Sequence, residues 1–550
     1  MSLQYASSAT ATAFVLLLGL ADVDCAAAAE TALTGLVSSA EEGAMEGVLV
    51  SAQKDGSTVR ITVVTDAQGG YSFPAAKLEP GHYKLNIRAV GYDLDGATAL
   101  DIAANSAAKA DLKLKKTRNL SGQLNNAEWM ASVPDSPQRR LLAGCTNCHT
   151  VQRILESTKT SDEFVDIIPR MGKYGAMSLP TRPQIPPNRV RTSELKPEAV
   201  RKYADYLASI NRSEGPEPKF ALKTLPRPSG RATRVIMTEY ALPRPELGQP
   251  HDVVVDAEGI VWYSHFGEQI VGKLDPKTAK VTEYKLPLLK PTNPQGSLNL
   301  ELDADGNPWL AMMYQGGIAK LDKKTEKIEV YPLAPEFETL EVQISMVDAR
   351  HSKVDGKVWF SDAGSRMLYK LDVASGKMEQ VDPFKNLPKG STYGLTSDAK
   401  NNLWYLDYGD RSIGMADAAT GKPMLYPTPT TGSRPRRGHM DAQGRLAFAE
   451  FAADKVGVFD TNTEQFQEWP TPANFAPYDA VLDKNGELWT GGMNSDRILR
   501  VDTKTGQSVA YLLPRQTNVR RVFVDNSTSP VTFWVGNNHG GSIIKLEPLD

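Results

Sequence analysis

The stretch DAEGIVWYSH (256–265) decides the fold, because related stretches recur through the rest of the chain. Each copy joins an Asp-x-x-Gly-like turn to a strand that usually carries tryptophan, and the copies follow one another about every 45 residues. The related stretches are DADGNPWLAM, VDGKVWFSD, DAKNNLWYLD, DAQGRLAFAE, DKNGELWTGG and SPVTFWVGN. The tryptophans are Trp262, Trp309, Trp359, Trp404, Trp489 and Trp534, with Ala447 in the fifth copy. This period indicates repeated four-stranded units.

A second turn keeps the same register as the first. Its copies are KLD (273–275), KLD (320–322), KLD (370–372), MAD (415–417), VFD (458–460), RVD (500–502) and KLE (545–547). Because two turn motifs recur seven times in the same register, the sequence predicts a seven-bladed β-propeller over 233–550. The strand VIMTEYALP (235–243) precedes the first repeat, and the last repeat ends without an outer strand. We therefore expect that strand to complete the last blade and close the ring. An open solenoid would need capping repeats, which the sequence lacks.

Residues 30–117 alternate as short β-strands do. GVLVSAQ (47–53), TVRITVVT (58–65), YSF (71–73) and HYKLNIRAV (82–90) are separated by turn residues. The alternation predicts a small β-sandwich with one buried face per sheet. TDAQGGYSFPAAKLEPGHYKLNIRAVGY resembles the carboxypeptidase regulatory-like domain, which implies an accessory module without catalytic residues of its own.

Residues 118–214 change to a helical pattern, which predicts a small all-α domain. SELKPEAVRKYADYLASINRS (193–213) has a proline early and then apolar residues at spacings of three and four. SDEFVDIIPRM (161–171) predicts a second helix that starts at a Ser/Asp cap. Residues 215–232 are rich in proline and predict a semi-rigid linker to the propeller.

The first 29 residues have the composition of a signal peptide. AFVLLLGLA (13–21) is an apolar h-region, and CAAAAE (25–30) offers small residues for cleavage, although no Lys or Arg precedes Lys54. We expect Gram-negative-type export to a periplasmic or secreted location, with no transmembrane segment after cleavage. The net charge of −3 provides no basic field for nucleic acid.

GCTNCHT (144–150) holds Cys145, Cys148 and His149 in the attachment pattern of c-type haem. A zinc site needs further thiol or imidazole ligands nearby, and no histidine lies between His149 and His251. A thioredoxin-like dithiol needs a βαβ context, whereas these surroundings are helical. The motif therefore predicts one covalent haem c, with His149 as the proximal iron ligand.

Because the segment offers no second histidine, the sixth iron ligand is expected to be a methionine, with an open position as the alternative. RMGKYGAMSLP (170–180) supplies Met177 in an irregular loop and Met171 at the end of a helical pattern. Met177 is the preferred ligand and Met171 the alternative. The segment resembles a single-haem class I cytochrome c, which implies electron transfer with a periplasmic redox partner.

Two positions per repeat are expected at the mouth of the propeller funnel. The first set is His251, Leu298, Tyr393, Arg436, Tyr478 and Arg520; the second is His265, Met312, Asp362, Asp407, Glu450, Gly492 and Asn537. These side chains either bind an unknown small molecule or protein, or are only solvated. The chief candidates are His251, His265, Tyr393, Arg436 and Glu450.

Residues 249–287 resemble a blade of streptogramin B lyase (virginiamycin B lyase), and the likeness extends over 233–550. It implies a seven-bladed elimination enzyme with magnesium and a histidine base. By repeat register, the family's substrate-contacting histidine falls on Tyr393, its catalytic histidine on Arg436 and one magnesium-binding glutamate on Arg434. Only the second glutamate is kept, as Glu450. Arginine cannot act as a base near neutral pH, and a cation at Arg434 would repel magnesium.

Three functions remain open from the sequence. The first is an exported electron-transfer protein whose propeller binds a substrate or partner and passes electrons to the haem. The second is a lyase-like elimination enzyme, and the third is a non-catalytic binding or scaffold protein. Whether the propeller is an enzyme is left open by its residues.

Overall fold

The computed structural model describes residues 31–550, except 97, 105, 188–194 and 389. The expected signal peptide, with Cys25, lies outside the described residues. The fold is mostly β, as the sequence predicts. No helix in the described ranges is long and apolar enough to cross a bilayer.

The N-terminal part is the predicted β-sandwich. Its described strands are β1 Thr31–Ser39, β2 Gly43–Ala44, β3 Leu49–Lys54, β4 Val59–Val64, β5 Gly70–Pro74, β6 Gly81–Arg88, β7 Tyr92–Asp95, β8 Ala99–Ile102, β9 Ala108–Lys109 and β10 Leu112–Lys116. One layer has the order β2-β1-β10-β7, with β5 and β9 also on β1, and the other has the order β4-β3-β6-β8. Leu33, Val50 and Phe73 are among the side chains buried between the layers, which explains the alternating pattern.

The described part of residues 118–214 is helical. Its helices are α1 Asn126–Ser132, α2 Arg140–Cys145, α3 Gln152–Leu155, α4 Ser161–Lys173 and α5 Pro197–Ile210. Short 3₁₀ turns lie at Ala75–Lys77, Ser121–Gln123, Gly230–Thr233 and Pro335–Phe337. Thr160 caps α4 through a capping box with Glu163, so the cap lies one residue before the predicted Ser/Asp pair.

The proline-rich residues 215–232, predicted as a semi-rigid linker, contact the parts of the chain that they join. Phe220 packs edge-on against Trp129 at 6.5 Å between ring centroids. The backbone N–H of Leu225 donates to Glu128 Oε1 at 2.9 Å. The larger apolar side chains that lie between the prolines are partly buried here. Amino-acid composition alone does not predict such contacts.

In the described part of the chain, the propeller has seven four-stranded blades. Blades 1 to 3 are β12 Pro250–Val255, β13 Val261–His265, β14 Ile270–Asp275, β15 Lys280–Lys285; β16 Leu300–Leu302, β17 Pro308–Ala311, β18 Gly317–Leu321, β19 Ile328–Pro332; and β20 Ile344–Asp348, β21 Lys357–Asp362, β22 Met367–Asp372, β23 Met378–Val381. Blades 4 to 6 are β24 Thr392–Ser397, β25 Leu403–Asp407, β26 Ser412–Ala416, β27 Pro423–Pro427; β28 Pro435–Met440, β29 Arg445–Glu450, β30 Lys455–Asp460, β31 Gln465–Pro470; and β32 Pro477–Leu482, β33 Glu487–Gly492, β34 Arg497–Asp502, β35 Ser508–Leu512. Blade 7 is β36 Val519–Asp525, β37 Thr532–Asn537, β38 Ser542–Pro548 and, from before the first repeat, β11 Val235–Ala241.

The repeated Asp and Trp are joined by a hydrogen bond, which explains their fixed spacing. Asp256 accepts from the backbone N–H groups of Glu258 and Ile260, both at 3.0 Å, and so closes the turn. Its other carboxylate oxygen accepts from Trp262 Nε1 at 2.9 Å. The same contact recurs in the pairs Asp303–Trp309, Asp398–Trp404 and Asp483–Trp489.

Strand β11 completes blade 7, as predicted, and also pairs with the sandwich, which the sequence did not indicate. The combined sheet has the order β36-β37-β38-β11-β4-β3-β6-β8. Antiparallel pairs include Ile236 with Val63 on one side and Ile236 with Glu547 on the other. The outer edge of blade 7 is therefore covered by another strand rather than open to solvent.

Candidate functional site

The helical segment lies against the end of the propeller where the inner strands begin. Gln184 Nε2 donates to the carbonyl of Gly267 at 3.1 Å. The backbone N–H of Ala127 donates to the carbonyl of Asn494 at 2.8 Å. Met177 packs in one apolar cluster with Phe266 and other side chains of the propeller. The haem motif and the predicted funnel mouth therefore belong to one region.

Cys145 ends α2, and Cys148 and His149 lie in the turn that follows. The two thiols form no disulfide with each other. Cys145 Sγ lies 3.5 Å from the carbonyl oxygen of Leu141, and burial raises the pKa of this thiol to about 11. Cys148 Sγ lies 3.7 Å from the carbonyl oxygen of Gly175. Two reduced thiols one turn apart are the donor set that covalent haem attachment requires.

The ring of His149 is held in the form that can ligate iron. Its Nδ1 lies 2.9 Å from the carbonyl oxygen of Thr150. A carbonyl only accepts, so Nδ1 carries the proton and the lone pair is on Nε2. Burial lowers the pKa of His149, which favours the neutral imidazole.

The two candidate methionines occupy different environments. Met177 is 1% exposed and lies in the loop whose Gly175 and Ala176 carbonyls contact the thiol of Cys148. Gly175 has no side chain where the sulfur of Met177 lies, and a Cβ there would collide with it. Met171 is 39% exposed on α4. The surroundings of Met177 therefore fit the preferred sixth ligand better than those of Met171.

The first set of predicted funnel residues meets around Tyr478. His251 Nε2 lies 3.1 Å from Tyr478 Oη, and the hydroxyls of Tyr393 and Tyr478 share a short hydrogen bond. The guanidinium carbons of Arg436 and Arg520 lie 4.0 and 5.3 Å from the centre of the Tyr478 ring. Residues from blades 1, 4, 5, 6 and 7 thus converge, as the repeat register predicts.

A layer of paired charges lies beside this cluster. Arg437 Nη1 donates to Asp252 Oδ1 at 2.7 Å, and His251 Nδ1 lies 2.7 Å from the same oxygen. Burial opposes the charge of Asp252, but Arg437 outweighs burial and lowers the pKa of this carboxyl. Burial also lowers the pKa of His251 to about 3, so its ring is neutral at neutral pH. Arg521 Nη2 donates to Glu301 Oε2 at 2.9 Å.

Two of the second set of predicted positions, His265 and Glu450, are buried. His265 Nδ1 accepts from the backbone N–H of Glu268 at 3.0 Å, and burial lowers its pKa to about 4. No hydrogen bond or ring contact in the described ranges joins His265 to His251. Glu450 is fully buried, and burial raises its pKa to about 7.

Four further residues border the haem motif or the funnel and were missed by sequence reasoning: Arg437, Met493, Asn518 and His539. Asn518 Nδ2 donates to the carbonyl of Thr146 at 3.2 Å. His539 Nε2 is buried without a hydrogen-bond partner in the described structure, and burial lowers the pKa of this ring to about 3. For Arg437, the available signal was that a charged residue directly follows several first-set positions, as in the pairs His251-Asp252, Arg436-Arg437 and Arg520-Arg521.

A cavity of about 470 Å³ lies away from the haem motif. Arg350, His439 and Arg521 are among its lining residues. His439 Nε2 donates to Asp479 Oδ2 at 3.0 Å, so this imidazole has a carboxylate partner there. None of the chief funnel candidates lines the cavity.

The residues present do not fit a magnesium site of the lyase kind. Arg434, at one expected ligand position, is exposed and lies 4.3 Å from the centre of the Tyr408 ring. Glu450 is the only glutamate kept from that expectation. Among the described residues, no group of three or more His, Cys, Asp or Glu side chains could hold a metal ion.

The comparisons with known proteins concern the N-terminal sandwich and the propeller. Residues 32–115 match the family model of the carboxypeptidase regulatory-like domain. No curated protein matches the chain at a significant level.

Among solved structures, a streptogramin B lyase is similar, with 22% identity over 58% of this chain and 100% of that chain, and a TM-score of 0.51. A catalytically inactive virginiamycin B lyase from Staphylococcus aureus with quinupristin has 20% identity over 57% of this chain and 99% of that chain, and a TM-score of 0.49. At this identity the streptogramin B lyase likeness shows the propeller fold alone.

Proposed function

We propose that the chain is an exported c-type haem protein for electron transfer, with its haem held where the helical segment meets the propeller funnel. One observation carries the proposal. Cys148 Sγ lies 3.7 Å from the backbone of the Met177 loop, and Arg520 of the funnel donates from Nη2 to the carbonyl of Asn147 at 3.0 Å. The Cys-x-x-Cys-His motif thus contacts both a candidate ligand loop and the propeller.

The residues of the helical segment fit the group that the motif implies. A bound haem supplies a one-electron carrier. Cys145 and Cys148 would hold it through thioether bonds, and His149 offers Nε2 to the iron. Met177 would be the sixth ligand in this proposal, because its side chain is buried and its loop contacts Cys148. Methionine ligation favours electron transfer over ligand chemistry.

The propeller, in this proposal, binds a small molecule or a periplasmic redox partner next to the haem. Burial raises the pKa of Tyr393, but the charges of Arg436 and Arg437 outweigh burial and hold it below its ordinary value. These two guanidinium groups therefore make Tyr393 a stronger acid than an ordinary tyrosine. Its hydrogen bond to Tyr478, which in turn contacts His251 Nε2, offers the proton a path away from the site.

Lyase-like elimination is the second candidate, and the propeller fold is the observation in its favour. Arg436 argues against elimination, because this arginine occupies the position where that chemistry needs an imidazole base. The lyase reading predicts magnesium-dependent linearisation of a cyclic depsipeptide antibiotic. The haem reading predicts no such activity.

The deciding experiment uses full-length protein expressed with export and haem maturation in a bacterial periplasm. We expect a reduced-minus-oxidised haem spectrum and a haem stain that survives denaturation. Cys148→Ser should lose covalent attachment, and the matched control Thr146→Ser should keep it. A native protein without a haem band would overturn the proposal, and magnesium-dependent antibiotic cleavage would then support the lyase. If neither signal appears, the scaffold function remains.

A further inference from the structure

We propose that Arg436 and Arg520 form a carboxylate-binding site at the funnel mouth. The carboxylate comes either from a propionate of the haem attached at Cys145 and Cys148 or from a free organic acid. The first source rests on the proposed function, and the second does not.

Both arginines are buried without a counter-ion. Arg436 is 7% exposed and Arg520 is 1% exposed. The Nε atom of each is buried with no hydrogen-bond partner in the described structure. Each has an Nη1 near the sulfur of Met493, at 3.8 and 3.9 Å. No carboxylate within the described ranges forms an ion pair with either one.

The neighbouring arginines show what a partnered guanidinium looks like in this funnel. Arg437 has Asp252 at 2.7 Å, and Arg521 has Glu301 at 2.9 Å. A buried charge without a partner is costly, and such charges are usually paired or bind a ligand. Two unpaired cations beside two paired ones therefore indicate a place for an external anion.

The surroundings of Arg436 hold its guanidinium in place for a carboxylate. Aromatic rings surround the Arg436 guanidinium, with centroids 4.0 Å away at Tyr478, 4.3 Å at Phe451 and 5.1 Å at both Tyr393 and Tyr408. These faces hold the fork in place and exclude water. A guanidinium fork matches a carboxylate through two parallel hydrogen bonds.

The site is close to the haem motif. Arg520 Nη2 donates to the carbonyl of Asn147, the residue directly before Cys148. The same guanidinium lies 5.3 Å from the Tyr478 ring that contacts Arg436. A carboxylate held here is therefore within the region that a haem attached to Cys148 occupies.

The test compares Arg436→Met and Arg520→Met with Arg411→Met in haem-loaded full-length protein. Arg411 is a matched control because its side chain is only partly buried and its Nη1 donates a hydrogen bond to Thr431 Oγ1 at 3.1 Å. Methionine is unbranched and apolar, so it removes the charge without adding a polar group that lacks a partner. Arg436→Lys keeps a cation but loses the fork, and it should give an intermediate effect.

Two measurements distinguish the sources. If the carboxylate is a propionate, the reduction potential becomes pH-dependent in the two methionine variants, because the acid loses its cations, and stays as in the wild type in Arg411→Met. If it is a free acid, titration with benzoate shows binding to the wild type and a loss of more than about tenfold in the same two variants. Either result supports the site.

Unchanged potentials together with absent or unaltered benzoate binding would overturn the proposal. If the protein holds no haem, the benzoate titration alone decides. The failure of the haem proposal therefore stays distinguishable from the failure of the carboxylate site.

Discussion

Arg436 and Arg437 are adjacent in β28, yet only Arg437 has a carboxylate partner, Asp252, whose Oδ1 lies 2.7 Å from its Nη1. The pairing of β28 has an irregularity between Pro435 and Gly438, and there Arg437 meets the paired charges while Arg436 lies among aromatic rings. One short stretch thus supplies both a structural and a ligand-directed guanidinium.

This difference predicts effects of unequal size on stability. Arg437→Met should lower the free energy of unfolding by about 3 kcal/mol, because Asp252 loses its closest cation inside the protein. Arg436→Met should change it by less than about 1 kcal/mol, since no carboxylate loses a partner. Urea unfolding measures both, with ligand-free protein. Equal losses in the two variants would contradict the assignment of Arg436.

The buried carboxyl of Glu450 predicts a pH-dependent stability. Its pKa rises from the ordinary 4.5 to about 7 in the folded protein, so its stabilising contribution is full below pH 4.5 and is lost as the pH rises through 7. Glu450→Gln does not titrate and should gain about 3 kcal/mol relative to wild type between pH 4 and pH 9. Denaturant unfolding at several pH values measures this gain. The exposed control Glu464→Gln should keep the wild-type pH profile, and a Glu450→Gln profile parallel to wild type would refute the expectation.

The proposed sixth iron ligand predicts a spectroscopic change. Met177→Ala should abolish the charge-transfer band of a methionine–iron bond and lower the reduction potential, because a thioether ligand raises that potential. Met171→Ala is the matched control, since its side chain is 39% exposed on α4, and should leave both unchanged. Potentiometric titration followed by absorbance gives both values. A change in Met171→Ala alone would reverse the assignment.

The carboxylate of Glu239 predicts how firmly the sandwich and blade 7 are joined. It accepts from Arg515 Nε at 2.5 Å, from Ser542 Oγ at 2.6 Å and from Arg60 of the sandwich at 3.4 Å. Glu239→Gln should cost about 2 kcal/mol, because hydrogen bonds to charged groups weaken inside the protein. Thermal unfolding measures the loss. Glu79→Gln removes an exposed partner of Lys54 and should cost at most about 1 kcal/mol; a similar loss in both would argue against the role of Glu239.

The repeated architecture was predictable because its determinants are local. The Asp256–Trp262 contact lies within a single turn and strand, and it recurs often enough to set the register. The pairing of β11 with β4 was not predictable, because alternation shows which face of a strand is buried but not which edge finds a partner. The contacts of residues 215–232 were not predictable for a related reason, since proline content says nothing about tertiary contacts.

The candidate site was predictable only in part. The spacing of Cys145, Cys148 and His149 predicts haem attachment directly, and the repeat register predicts that His251 and Tyr478 lie close together. Whether a charged funnel residue is paired depends on contacts between blades distant in the chain, such as that of Arg437 with Asp252. No local pattern could therefore separate Arg436 from its neighbour.

The shared eight-stranded sheet also bears on how the ring assembles during synthesis. Strand β4 is made before β11, and β11 long before β38. An edge that is already folded can hold β11 in extended form until its last partner arrives, which reduces the entropy lost when the two ends of the propeller meet. The sandwich thus acts as an intramolecular template for ring closure.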